Sequence, residues 1–261
     1  MTDFARFALC LAAAARAETL PRADRLVEAA NKAGPSGYDP VTEADTEAER
    51  TIRALIDAEH PEHGVVGEEF GNKPGAGRWS WCLDPVDGTR AFVCGLPSWT
   101  TLIALRDGGV PVLGVIDVPR VDELYIGDDS GTRLIGAGAE RSVRVSGCER
   151  LTEARFSTTD PYLFTGAERD AFERLRGTAR LTRYGYDAYA YARLAAGSLD
   201  LVVESGLKVW DWQALVPVVR GAGGVVGNWE GGGDMSAGRL VAAASQALFE
   251  EAVAITREAL P

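Results

Sequence analysis

The apolar pattern of this chain changes period near residue 145, and few architectures accommodate both halves. Before that point, short apolar runs at 65–67, 79–83, 99–106, 111–117 and 123–126 read as strands, with Gly108-Gly109 as a hairpin signal. They follow helical stretches predicted at 3–19, 22–31 and 43–59. Phe4, Phe7, Ala8 and Leu11 stripe the first, and Pro21 separates it from the second. Ala44, Ala48, Ile52, Leu55 and Ile56 recur at helical spacing on the third, and Lys32 to Pro40 reads as a loop. Beyond residue 145 strand and helix alternate. Strands are predicted at 154–159, 179–183, 199–204, 225–228 and 239–244, and helices at 167–176, 187–197, 211–222 and 245–259. The expected class is α/β (α+β), with an N-terminal α+β domain over 1–145 and a C-terminal α/β domain over 146–261 that completes the active site.

Charge narrows the function. With 27 Lys plus Arg against 38 Asp plus Glu, the net charge is −11. That balance argues against non-specific binding to nucleic acid or to an anionic membrane. No apolar run approaches a membrane span, and no basic segment precedes an apolar one at the start, so a cytoplasmic protein is expected. Cys10, Cys82, Cys94 and Cys148 lack C-x-x-C spacing and are expected as free, mostly buried thiols. The two histidines, His60 and His63, share a Pro-containing loop, which is a poor setting for the base of a Ser/His hydrolase.

Carboxylates instead gather where elements end: Gly67-Glu68-Glu69, Asp84-Pro85-Val86-Asp87-Gly88-Thr89 and Trp210-Asp211-Trp212-Gln213-Ala214. Acidic side chains and carbonyls without His or Cys favour hard cations such as Mg2+. A rigid Pro turn lets Asp84, the Val86 carbonyl and Asp87 face one point, so one segment serves two adjacent cations. Gly88 and Thr89 offer free backbone N–H groups to a phosphate oxygen, and the Thr89 hydroxyl, with Asp45 as proton acceptor, aims a water. Taken singly, each motif also reads as a capped turn, a solvated loop or a helix N-cap. Their joint occurrence, each at an element boundary, favours chemistry.

Four ordered motifs carry a family likeness: Asp39-Pro40-Val41-Thr42-Glu43-Ala44-Asp45, Gly67-Glu68-Glu69, Trp81 to Thr89, and Trp210 to Ala214 followed by Gly221-Ala222-Gly223-Gly224. From about Lys32 to Leu248 the chain resembles the inositol monophosphatase superfamily of Mg2+-dependent, Li+-sensitive phosphatases. The resemblance implies a layered αβαβα sandwich and a homodimer. It also implies Glu68, Asp84 and the Val86 carbonyl at a first cation, and Asp84, Asp87 and Asp211 at a second. Glu68 with waters would hold a weaker third, with Mn2+ able to replace Mg2+. Asp45 with Thr89 matches the water-activating pair, and the Gly88 and Thr89 amides the phosphate cradle. Lys32 falls where a loop lysine is common.

Within the superfamily the nearest likeness is to histidinol-phosphate phosphatases, through Asp87 to Phe92 with Gly95-Leu96-Pro97, Arg183-Tyr184-Gly185 with Asp187, Tyr189-Ala190-Tyr191, and Val203 to Lys208. Arg183, Asp187 and Glu204, beside Asp87 and Asp211, are the expected substrate contacts. A cationic amino alcohol favours acidic partners, and Asp187 and Glu204 supply them. The group's usual Gly-Asp-Cys is absent here, where Tyr186 and Ala188 flank Asp187, and bulky Tyr186, beside the pocket, is expected to narrow or redirect specificity. Trp212 reads as helix–sheet packing, and Lys208 as a surface cation near the phosphate. The expected activity is hydrolysis of L-histidinol phosphate. The alternatives are a broader inositol- or sugar-phosphate phosphatase and a catalytically silent regulatory relative, whose signature, a lost metal carboxylate, is not seen.

Overall fold

The computed structural model describes residues 2–23, 28–33 and 38–260. Helix α1 (Asp3–Ala23) and helix α2 (Glu43–Glu59) open the chain. The break expected at Pro21 does not occur: Pro21 lies in the last turn of α1, where its missing N–H removes one terminal bond only. The helix expected over 22–31 is therefore corrected. Arg22 and Ala23 finish α1, residues 24–27 lie outside the described residues, and β1 (Ala30–Asn31) pairs antiparallel with β2 (Pro40–Val41). Of the loop expected from Lys32 to Pro40, residues 34–37 also lie outside the described residues.

An eight-stranded sheet follows from β3 (Gly64–Gly67), β4 (Gly71–Lys73), β5 (Trp79–Asp87), β6 (Thr100–Asp107), β7 (Val110–Val118), β8 (Glu123–Asp128), β9 (Gly131–Gly136) and β10 (Ala139–Val143), with α3 (Thr89–Val93) after β5. Its order is β10-β9-β8-β7-β6-β5-β3-β4, and only β3 and β5 run parallel. The sequence reading missed β4, β9 and β10. Two of these, β4 and β10, are the sheet's edges and carry polar residues in place of an alternating apolar pattern.

The second half contains β11 (Arg155–Thr158), α4 (Ala167–Thr178), β12 (Leu181–Tyr184), α5 (Tyr189–Ala195), β13 (Leu201–Glu204), α6 (Val209–Gln213), α7 (Leu215–Gly221), β14 (Val225–Gly227), β15 (Leu240–Ala243) and α8 (Gln246–Thr256). The five-stranded sheet has order β12-β11-β13-β15-β14. The helix expected over 211–222 is two short helices that begin at Val209, so Asp211 sits inside a first turn and not at the cap.

Alternation along the strands produces the layers. Trp81, Leu83, Ile103 and Leu105 pack with Ala8, Leu11, Ile52 and Ile56 of α1 and α2. Cys82, Leu102, Ala104 and Ile116 point the other way, onto Tyr191 and Leu194 of α5, Leu215 and Val218 of α7, and Val202 and Ala242 of the second sheet. On that sheet's far face, Phe156, Leu201, Val203 and Val241 meet Phe172 and Leu175 of α4 and Leu248 and Ala252 of α8. The result is helices, sheet, helices, sheet, helices. Of the four cysteines only Cys82 is fully buried, a correction to the expectation; Cys10 falls on the outward side of α1 and Cys94 ends α3.

One close approach fixes the middle layer. A Cβ on Gly114 of β7 would lie 2.1 Å from the Ala214 carbonyl oxygen, at the bend between α6 and α7. Gly114→Ala is therefore expected to cost about 1–3 kcal/mol by overpacking, read as a lower urea midpoint at unchanged slope.

Candidate active site

The end of β5 carries an irregularity that matters. Asp84 pairs with Leu102 but Asp87 with Thr100, so three steps on β5 oppose two on β6. In a regular strand, residues three apart face opposite sides; the extra residue cancels that, and Asp84 and Asp87 reach the same cavity. Pro85 is tolerated because a bulge leaves its ladder bond unmade. The parallel register Gly67↔Leu83 continues as the Glu68 N–H donates to the Leu83 carbonyl (3.3 Å), which sets Glu68 beside Asp84. Glu49 of α2, fully buried, accepts from the Glu69 N–H (2.9 Å) and the Phe70 N–H (3.2 Å), holding the turn that carries Glu68. Sequence reading missed this support because Glu49 looks like one more charge on an amphipathic helix.

The three aspartates share a pattern. Asp84 Oδ1 accepts from the Val86 N–H (3.1 Å), Asp87 Oδ2 from the Ala188 N–H (2.8 Å) and Thr100 Oγ1 (3.1 Å), and Asp211 Oδ2 from the Lys208 N–H (2.6 Å). In each the second oxygen makes no such bond among the described residues. One oxygen is held and the other is left for a ligand. Asp45 is built alike at the start of α2: Oδ2 accepts from the Thr42 N–H (2.9 Å), and Oδ1 lies 3.3 Å from Thr89 Oγ1. Thr89 Oγ1 also lies 2.9 Å from the Val86 carbonyl oxygen. Gly88 adopts φ +78°, a conformation that favours glycine, and a Cβ there would sit 2.9 Å from Asp187 Oδ2.

Glu68, Asp84, Val86, Asp87, Gly88, Thr89, Asp187 and Asp211 line one cavity of about 490 Å³, together with Tyr38, Arg90, Tyr191, Glu204, Lys208 and Trp210, while Asp45 reaches it only through its contact with Thr89. Glu204 ends β13, where Oε1 accepts from the Thr159 N–H (2.7 Å) and Oγ1 (3.0 Å), and Oε2 from Thr158 Oγ1 (3.0 Å). Asp187 follows β12 with φ +45°. Lys32 Nζ is 2.8 Å from both Glu68 Oε1 and Glu69 Oε1, which brings the loop lysine to the carboxylates. Arg183 stands apart: it is exposed on β12, with its guanidinium over the Tyr186 ring and 3.3 Å from the Tyr186 hydroxyl. Tyr186 and Trp212 pack against the middle apolar cluster, and Tyr186 is not among the residues that line the cavity.

The electrostatics favour a cation. Burial pushes Asp84 well above the usual carboxylate range, and Glu68, Asp87, Asp211 and Asp45 push it further. Asp87 rises through burial and through Asp187 and Asp211. Burial lifts Asp211 to about 7 and both Asp187 and Asp45 to about 6, and Glu69, despite Lys32, to about 7. So many carboxylates cannot all ionise near neutrality without compensating charge. The donors are all oxygen, free of nitrogen and sulfur, so the set fits a hard divalent cation.

A model of the inositol monophosphatase family matches residues 1–260. Bifunctional phosphatase IMPL2, chloroplastic, of Arabidopsis thaliana is 44% identical over 194 residues, which is 74% of this chain but 55% of that protein's length. A histidinol-phosphatase of Chlorobaculum parvum is 34% identical over 216 residues, 82% of each chain. The solved inositol monophosphatase of Zymomonas mobilis superposes with a TM-score of 0.86 at 38% identity, over 98% of both chains. The layered fold and the carboxylate-lined cavity agree with these matches, and the chain belongs to the inositol monophosphatase family of metal-dependent phosphatases.

Proposed function

We propose that the cavity hydrolyses L-histidinol phosphate to L-histidinol and phosphate with Mg2+. The observation that carries the hydrolytic part is the bulge in β5, which brings Asp84 and Asp87 to one cavity with Glu68 and Asp211. Glu68, Asp84 and the Val86 carbonyl would hold one cation, and Asp84, Asp87 and Asp211 a second, with a weaker third at Glu68. Loaded with divalent cations, this oxygen set would supply charge withdrawal from the phosphoryl group and a more acidic attacking water. Among the described residues the N–H groups of Gly88 and Thr89, where α3 begins, donate no backbone hydrogen bond, so their amides would be free for a phosphate oxygen. Thr89 orients the water, and Asp45 takes its proton through the threonine hydroxyl.

The amino-alcohol reading rests on Asp187 and Glu204. Both line the cavity beyond the aspartates, and an ammonium recovers there the charge balance that burial denies them; burial lifts Glu204 to about 8. The name of the Chlorobaculum relative supports this reading, while that of the Zymomonas structure supports an inositol phosphate as the second one. A phosphate-release screen over histidinol phosphate, inositol 1-phosphate and sugar phosphates, with Mg2+ and with EDTA, separates them. Histidinol phosphate should exceed the others in kcat/KM by about tenfold or more, as expected when buried acidic partners are matched or left unpaired, and EDTA should abolish release. An inositol or sugar phosphate ahead by that factor moves the assignment to the broader phosphatase.

A further inference from the structure

The bulge that brings Asp84 and Asp87 to one cavity has to be held, since a regular β5 would turn Asp87 to the opposite face of the sheet. Pro85 and Val86 have no register partner on β6, and Thr101 has none on β5, so two residues oppose one. Buried backbone groups at such a gap need other partners. Side chains supply them. Pro85 has no N–H, the Val86 N–H donates to Asp84 Oδ1 (3.1 Å), and the Val86 carbonyl oxygen lies 2.9 Å from Thr89 Oγ1. The Pro85 carbonyl accepts from Thr101 Oγ1 (2.7 Å), and Thr101 is fully buried.

Thr100 and Thr101 are consecutive on β6, so their side chains leave the sheet on opposite faces. Thr100 shares the face of Leu102 and Ala104, toward the middle layer, and from there donates to Asp87 Oδ2 (3.1 Å). Thr101 shares the face of Ile103 and Leu105, under α1 and α2, and donates to the main chain of the bulge itself. The pair grips the extra residue from both sides. The grip opposes a definite force, because two carboxylates that face one cavity repel in the absence of a cation. A site that already has its binding shape when the cation arrives spends less free energy on closing around it. We propose that Thr101 is a positioning residue: its hydroxyl bond to the Pro85 carbonyl keeps the extra residue in β5 and thereby sets the affinity of Asp84 and Asp87 for divalent cations. This rests on the assignment of those two aspartates to Mg2+ above, and it adds a residue that is outside the cavity lining.

The test measures Mg2+ binding by isothermal titration calorimetry on protein stripped with EDTA and dialysed, for wild type, Thr101→Val, Thr101→Ala and Thr101→Ser. Valine keeps the shape and drops the hydroxyl. Alanine and serine differ from each other by the hydroxyl alone, so that pair decides if the valine variant does not fold. The Mg2+ Kd should rise by about fivefold or more in the valine and alanine variants, the size expected when one buried carbonyl loses its partner, and stay within about twofold of wild type with serine. A smaller rise in the first two, even beside a lower Tm without Mg2+, marks a purely structural bond and overturns the role given to Thr101. A serine variant as weak as alanine overturns it too. Both results leave the cation assignment standing, whereas a wild type that binds no Mg2+ overturns that assignment as well.

Discussion

Asp84→Asn is expected to lower kcat by about 10³-fold or more while raising the melting temperature of the cation-free protein. Asp84 is 2% exposed and stands where both proposed cations would need it, so its loss removes several kcal/mol of transition-state charge stabilisation, and each 1.36 kcal/mol is about tenfold in rate. The gain in stability has the same origin. Burial and four neighbouring carboxylates hold Asp84 well above its ordinary pKa, so ionising it in the folded chain is costly, whereas asparagine keeps the shape without the charge. A folded pKa above the unfolded one means that the native state binds more protons in the interval between them, so stability falls as pH rises through it. Asp45 and Asp187 at about 6 and Asp211 at about 7 put much of that interval between pH 4 and 7. Cation-free wild type should therefore melt lower at pH 8 than at pH 5, Mg2+ should restore more at pH 8, and Asp84→Asn should flatten the curve. Calorimetry with EDTA or Mg2+, beside a phosphate-release assay, reads both. Near-native turnover by the variant after chelation and Mg2+ readdition would contradict the assignment of Asp84 to the cations.

The acidic motifs were legible in the sequence because each sits at the end of an element, a position that periodicity and turn residues mark. Gly67-Glu68 closes β3, Asp84 to Asp87 closes β5, and Glu204 closes β13. What brings them together was less legible. No run of letters announces that β5 gains one residue on β6 between Asp84 and Asp87, because Pro85 alone is equally a turn or an edge. The supports of the carboxylates, Glu49, Thr100 and Thr158, are ordinary residues whose roles depend on partners 13 to 46 positions away. Tyr191 stood out in the sequence only as part of Tyr189-Ala190-Tyr191, since only the surrounding structure shows that its oxygen is unpaired. In the fold, the errors follow the same rule. Polar edge strands β4 and β10 lack the alternation that burial imposes, and Pro21 reads as a helix end although a last turn accommodates it.

Asp45→Asn and Thr89→Val are each expected to reduce kcat by about 10²–10⁴-fold, the usual worth of a positioned general base, with a smaller change in KM. The geometry explains why the two act as one unit. Thr89 has a single hydroxyl proton, shared between the Val86 carbonyl at 2.9 Å and Asp45 Oδ1 at 3.3 Å. The threonine lone pairs can receive a proton from water in either case, but only when its own proton points to Asp45 can the hydroxyl pass that proton on to the carboxylate. The rate should thus rise with pH as Asp45 ionises, and bound cations would draw that step below the value of about 6 that burial gives it in their absence. Asparagine can still accept from the Thr42 N–H, so the first turn of α2 keeps its cap and the loss cannot be charged to unfolding. If the relay holds, the double variant loses little more than either single one, because each removes the same proton path. Losses that multiply would mean that Thr89 and Asp45 act separately, with Thr89 binding phosphate and another group accepting the proton.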